Sequence, residues 1–281
     1  MSEDAFHKAK LAIIPQKCVF LQKKTEKKVI SKNKIKLIHS LERKKNRVEE
    51  GLLLAEGPKL MEELLGVWTP AYIAATEEWM ELHKEELRGV ECDQVTQEEL
   101  NRASLLRTPQ QVIGLFPLPH EQCCLAEVAA GELCLALDGV QDPGNMGTIV
   151  RLADWFGIRH VFCSPDTVDV FSPKAIQATM GAIARVHVHY INLSDELARC
   201  TAPVYGTHLD GQNLYGESLT AHGVIVMGNE GKGVSAEVGA RVNKRLYIPP
   251  YPTDRDKVES LNVAIATAIV CAEFRRRATL R

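Results

Sequence analysis

The sequence predicts an α/β protein in two units, a small N-terminal one and a larger C-terminal one built on a parallel sheet. Three observations carry this. Short apolar runs alternate with amphipathic stretches from Gly51 to Pro117, a proline-bearing segment "PLPHEQCCLAEVAAGE" then interrupts the pattern, and it resumes at Leu133 with strands that are continuous apolar runs. Strand-helix alternation is the pattern of α/β layers, and continuous runs suit parallel strands buried on both faces. At 281 residues, 45% hydrophobic and 25% charged, the chain can bury one large core or two modest ones.

Residues 1–28 read as a basic extension. Ser31 opens a helix in which Ile35, Ile38 and Leu41 share one face and lysines line the other. Then "LLLAEG" reads as a strand, "PKLMEELL" as a helix with proline early, "AYIAA" as a strand, "TEEWMELHKEEL" as a helix opened by Thr76, "TQEELNRASL" as a helix and "QVIGLFPL" as a strand. These outline a first unit over 29–118, with 119–131 as a linker. The second unit, 132–281, has strands expected at "LCLAL", "HVFCS", "RVHVHY", "VYGTHL", "GVIVMG" and "RLYIPP". Asp138 to Gly147 reads as a loop, and the helix after it places Ile149, Leu152, Ala153 and Phe156 at i, i+3, i+4 and i+7. A last helix, from about Leu261 to Arg277, is apolar nearly all round, which calls for burial against the sheet or a second subunit.

A formal net charge of −2 conceals an asymmetry: residues 1–48 carry a balance of +10 and the remainder −12. A basic arm beside an acidic body is a footprint of nucleic-acid binding, since lysine and arginine displace phosphate counterions, although a solvated tail has the same composition. No run of 18 apolar residues occurs, and "MSEDAFHKAK" lacks a signal-peptide core, so a cytoplasmic protein without a membrane partner is expected. The eight cysteines are scattered without a CxxC pair and read as reduced thiols. His187 and His189 alternate on one strand face, but no third ligand stands nearby in sequence, so no metal is expected. The indoles of Trp68, Trp79 and Trp155 read as packing, and Arg275, Arg276 and Arg277 as a positive helix end that suits the macrodipole.

Three stretches carry the chemistry. In "LDGVQDPGNMGTIVRLADWFG", Pro143 and Gly144 fix a turn, Gly147 permits a close approach to the backbone, Asn145 can donate and accept at a helix entrance, and Arg151 lies about 200° round from Ile149, free of the core. "VIVMGNEGKGV" ends a buried strand in glycines beside Glu230, a loop of exposed amides with one carboxylate. It is neither a Walker loop, because Gly233 follows Lys232, nor a dinucleotide fingerprint. "RLYIPPY…VESLNVAIATAIV" sets Ile248 and Pro249 at a strand end and Ser260, Leu261 and Asn262 at a helix start, where free amides favour polar or anionic ligands.

In this order the three stretches resemble the motifs of the SpoU/TrmH branch of the SPOUT RNA methyltransferases. The likeness covers 133–281, and 31–118 more weakly resembles the small substrate-binding domain that precedes such catalytic domains. The resemblance implies a parallel-sheet SPOUT domain with a deep trefoil knot, a homodimer with the active site at its interface, and methyl transfer from S-adenosylmethionine to a ribose 2′-hydroxyl of RNA, ribosomal RNA favoured over tRNA. It further implies Asn145 and Arg151 as a catalytic pair, Glu230 as a site carboxylate, Ser260 and Asn262 as completing the site, and Met227, Gly228, Gly231, Ile248, Pro249, Leu261 and Asn262 around the cofactor. One departure is "PYPTDRDKVE", several residues longer than the usual connection. A guanidinium stays protonated in nearly every setting, so Arg151 is better cast as a clamp on a developing alkoxide or an RNA phosphate, held by Glu230 or Asn145, than as a base. Two other classes stand beside this reading: a non-catalytic RNA-binding or ribosome-assembly factor, against which the intact set of site residues argues, and a nucleotide-dependent oxidoreductase, against which the missing glycine fingerprint argues.

Overall fold

A computed structural model describes residues 30–120, 123–252 and 260–279. The basic extension 1–28, and most of the long connection after Pro249, lie outside the described residues.

The first unit begins with α1 (Lys32–Ser40), whose N-cap Ser31 accepts from the Lys34 amide at 3.2 Å, and α2 (Lys44–Glu50). It continues through β1 (Leu52–Glu56), α3 (Pro58–Leu65), β2 (Tyr72–Ala75), α4 (Glu77–Leu82), β3 (Cys92–Gln94), α5 (Gln97–Ala103) and β4 (Val112–Pro117). α5 starts at a capping box: Thr96 accepts from the Glu99 amide while the Glu99 carboxylate accepts from the Thr96 amide. The strands lie in the order β1-β4-β2-β3, with β4 antiparallel to both neighbours and β3 parallel to β2. β3 has no counterpart in the sequence reading, because "CDQ" is short and polar.

The second unit contains α6 (Leu125–Gly131), β5 (Leu133–Asp138), α7 (Pro143–Trp155), β6 (His160–Cys163), α8 (Pro173–Thr179), β7 (His187–Tyr190), α9 (Leu193–Ala198), β8 (Val204–Asn213), β9 (Gly223–Gly228), α10 (Ala236–Gly239), β10 (Lys244–Tyr247) and α11 (Val263–Thr279). The six strands form one parallel sheet in the order β10-β8-β9-β5-β6-β7. Two expectations need correction. The segment expected as a linker, 119–131, carries α6, which buries Leu125 and Ala129 against Phe162, Val204 and Val224. The loop expected from Asp138 to Gly147 ends at Asp142, which caps α7 by accepting from the Asn145 amide at 2.8 Å, so Pro143 occupies a first-turn position that proline tolerates.

The two units share one apolar cluster, running from Leu53, Met61 and Phe116 to Leu135, Ile149 and Val161. Polar ties reinforce it. Arg47, buried to 2% exposure, donates to the Leu41 and Glu42 carbonyls at 2.7 and 2.8 Å and pairs with Asp169 of the second unit. Arg185 spans Glu63 and Asp154, and Gln177 donates to the Glu56 carbonyl at 3.1 Å. Arg47 falls in the segment read as a nucleic-acid footprint, yet its charge serves the junction. The terminal arginines are likewise structural: Arg275 donates to the Phe156 and Gly157 carbonyls that end α7, and Arg276 and Arg277 both grip Glu273. No described helix is long and apolar enough to cross a membrane.

Candidate active site

β5 and β9 lie side by side and end level, Asp138 opposite Gly228, so the loops after them share one edge of the sheet. Side chains lock these loops together. Asp138 accepts from the Ser235 amide at 2.6 Å, Gly139 donates to Ser164 and Thr167 at 2.9 and 3.1 Å, and Asn229 donates to the Gly139 carbonyl at 2.7 Å. The Asn229 amide oxygen in turn accepts from the Gly231 and Lys232 amides at 2.9 and 3.0 Å, while Asn229 and Gly233 exchange both backbone hydrogen bonds. The loop expected to offer exposed amides is therefore closed on itself, with those of Asn229, Gly231, Lys232 and Gly233 consumed internally. Gly228 is needed because the returning loop presses on it: a Cβ there would lie 2.3 Å from the Gly233 carbonyl carbon. Asn229 and Asp138 do the positioning, and sequence reading passed over both; an asparagine between glycines at a strand end was the available signal.

On this frame three side chains from three distant stretches meet. Asn262 accepts, through its side-chain oxygen, from the Ala264 and Ile265 amides at 2.9 and 3.2 Å, capping α11. Its amide nitrogen must then point outward, and it donates to the Asn145 side-chain oxygen at 3.0 Å. Asn145 in turn donates to Glu230 at 2.9 Å. Each orientation is dictated by the one before: helix amides can only donate, so the relay runs from α11 to a carboxylate that can only accept when ionised. The half-buried Glu230 thus sits at the acceptor end of a fixed hydrogen-bond chain.

The remaining residues divide. Arg151 is exposed and, among the described residues, its guanidinium makes no hydrogen bond or ion pair. Six positions along α7 separate it from Asn145, about 9 Å of rise and about 120° of rotation, so one chain does not bring the expected catalytic pair together, nor do Glu230 or Asn145 hold Arg151. Ser260 is exposed. Met227 is 1% exposed with its sulfur 3.9 Å from the Thr207 hydroxyl, so its side chain packs into the core. Ile248 and Pro249 are half-exposed beyond β10, and Leu261 is 48% exposed beside Asn262. Gly228 is buried at the end of β9, and Gly231 is exposed in the loop that follows it.

Residues 132–272 match the SpoU rRNA Methylase family, and residues 32–114 match the MRM3-like substrate binding domain. The 23S rRNA (guanosine(2553)-2′-O)-methyltransferase RlmP of Bacillus subtilis is 32% identical over 253 residues, covering 86% of this chain and 96% of that protein. Among solved structures, a putative RNA methyltransferase of the TrmH family from Porphyromonas gingivalis shares 43% identity with a TM-score of 0.78, covering 89% of this chain and all of the other. An AdoMet-bound rRNA methyltransferase from Sinorhizobium meliloti shares 30% identity with a TM-score of 0.76, covering 86% of this chain and 94% of that one.

Proposed function

The chain belongs to the SpoU rRNA Methylase family, and on that premise we propose that it is an S-adenosylmethionine-dependent methyltransferase acting on a ribose 2′-hydroxyl of ribosomal RNA, as a homodimer with a knotted catalytic domain. The observation that carries the reading is the relay from Asn262 through Asn145 to Glu230, which joins all three motif stretches at one sheet edge.

S-adenosylmethionine, when bound, supplies a methyl group already activated by its sulfonium charge. Gly228, Gly231, Ile248, Pro249 and Leu261 are the residues that would hold it. The rest of the task is alignment and charge control at a weakly acidic hydroxyl. Glu230, fixed by Asn145, offers an oriented acceptor to that hydroxyl. A protonated guanidinium answers the complementary need, negative charge developing on the ribose oxygen. Arg151 makes no hydrogen bond or ion pair with Glu230 of its own chain, and α7 and α11, which pack together, leave Trp155 84% and Ile265 55% exposed. Both facts favour a dimer formed through these helices, in which Arg151 completes the neighbouring protomer's site. Tyr251, 93% exposed, stands on the long connection near the same edge and is available to RNA.

The test is transfer of labelled methyl from S-adenosylmethionine to unmodified ribosomal RNA and tRNA pools, with Arg151→Ala as control and mapping of alkali-resistant linkages. Label at one 2′-O position of ribosomal RNA, absent in the control, is the expected result. Label in tRNA alone would overturn the substrate, and cofactor binding without label in any pool would overturn catalysis.

A further inference from the structure

Away from the relay, the face of the sheet covered by α6 and α9 holds a second group of reactive side chains. His160 opens β6 and His189 is the third residue of β7; His160 is registered opposite His187 and Phe162 opposite His189, so His160 and His189 are diagonal neighbours on one face. Cys123, immediately before the N-cap of α6, reaches both. Its Sγ lies 3.2 Å from His189 Nε2 and 3.7 Å from His160 Nδ1, and those two nitrogens are 3.2 Å apart. His189 is buried, and Cys123 and His160 are partly buried. The sequence suggests His187 and His189 as the only pair on this strand, with no third ligand nearby. The structure instead pairs His189 with His160 and supplies a thiol from 66 residues away, while the His187 ring stacks on His160 at 5.1 Å and steadies its plane.

The dimensions decide what this triangle suits. A tetrahedral zinc ion with Zn–N of about 2.05 Å and Zn–S of about 2.3 Å sets its ligand atoms about 3.3 Å apart for N···N and about 3.6 Å for S···N. The observed 3.2, 3.2 and 3.7 Å match those edges within a few tenths of an ångström. Imidazole nitrogen and thiolate sulfur are also the donors that select borderline transition metals over calcium or magnesium. We propose that Cys123, His160 and His189 bind a divalent transition-metal ion of the zinc class. Binding forms one metal–sulfur and two metal–nitrogen bonds and releases the Cys123 thiol proton to solvent. Three ligands leave the fourth position to water. The ion would tie the start of α6, where the chain arrives from the first unit, to the edge strand β7 and its neighbour β6. The site does not depend on the methyl-transfer reading, because β6 and β7 contribute nothing to the relay.

The test uses the full chain, reduced and stripped with a chelator, then titrated anaerobically with Co²⁺. One equivalent should produce the visible bands of four-coordinate cobalt and a near-ultraviolet thiolate charge-transfer band, both lost on adding Zn²⁺, and Zn²⁺ should raise the melting temperature. Cys123→Ser should abolish the charge-transfer band, and His189→Gln should weaken binding by more than the ~10–100-fold that loss of an outer hydrogen-bond partner costs. Cys92→Ser, in the first unit, should change neither. Both ligand variants are to show wild-type circular dichroism. A charge-transfer band that survives in Cys123→Ser, or wild-type cobalt affinity in either correctly folded ligand variant, would overturn the assignment.

Discussion

Substituting Gly147 by alanine tests how α7 is held. The sequence suggests a close approach at this glycine, and the structure identifies the visitor as helix α8 rather than a ligand. A Cβ on Gly147 would lie 2.4 Å from the Ala178 Cβ, 2.7 Å from the Ala178 carbonyl carbon and 2.9 Å from the Ala175 carbonyl oxygen. Ordinary carbon–carbon contact is about 3.8 Å, so the helices would have to part by more than about 1 Å. None of the obstacles is a flexible side chain that can turn away. Two effects oppose each other: alanine in a helix gains about 1 kcal/mol over glycine, whereas overpacking a rigid contact costs about 1–3 kcal/mol. With backbone atoms as the obstacle the upper end applies, leaving a net loss of about 1–2 kcal/mol. At about 2.1 cal/mol/K per residue of unfolding entropy, that lowers Tm by about 2–3 °C in calorimetry. Activity should suffer more than stability, because Gly147 is two residues from Asn145 and a displacement of ~1 Å at a reacting group can cost ~100-fold in kcat. Gly131→Ala is the matched control: no atom lies within 4 Å of its Cβ position, and it should be neutral or stabilising. A Tm for Gly147→Ala equal to or above wild type would refute the argument that helix contact, not propensity, governs this position.

Other outcomes follow from the same geometry. Arg151→Lys keeps the charge but loses the planar fork, so most turnover should vanish while S-adenosylmethionine still raises Tm as in wild type; wild-type turnover would sink the clamp. Asp169→Asn strands the buried Arg47 charge at the junction between the units, and breaking one side of such a pair costs about 3 kcal/mol or more, or about 5 °C in Tm; an unchanged Tm would show that the junction rests on apolar contacts alone. Hydrogen bonds from Arg276, partly offset by burial and reinforced by Arg277, hold the Glu273 carboxyl down at about 2. Because its folded value is depressed, the stabilisation is full above its unfolded value of about 4.3 and disappears as pH falls through about 2. The Tm gap between wild type and Glu273→Gln should therefore be constant above about pH 5 and close below about pH 4, and a gap that widens in acid would contradict the pairing.

The parts of this molecule that were legible in the sequence are those set by local pattern. "GVIVMG" and "PKLMEELL" become β9 and α3 over the residues expected, because an apolar run between glycines and a proline-led amphipathic turn each leave little choice. Elsewhere, tertiary context decided. Pro143-Gly144-Asn145 has the composition of a turn, yet Asp142 caps it into the first turn of α7. Two cysteines and two glutamates beside a pair of prolines look like a linker, yet the apolar face of Leu125 and Ala129 finds the sheet and forms α6. β8 extends to Asn213 through polar "DGQN" because, beyond a shift in register, Leu246 and Tyr247 of β10 pair with Gln212 and Asn213. At the site, motif order pointed to Asn145, Glu230 and Asn262, but nothing in it told which group donates to which; that depends on the amides of α11. Nor could spacing foresee that Arg47 would be buried, or that Cys123 would meet two histidines on other strands.

The relay from α11 also makes the order of assembly visible in the site itself. Asn145 lies 117 residues before Asn262, and Glu230 is 85 residues after Asn145. During synthesis, Asn145 and Glu230 emerge well before the residues of α11. Until that last helix docks, Glu230 alone selects which end of the Asn145 amide faces it, and the Asn145 oxygen lacks the Asn262 donor that braces it. The hydrogen-bond chain is therefore complete only after α11 has docked, so a copy truncated before α11 would carry every residue of the first two motif stretches and leave the Asn145–Glu230 pair unbraced.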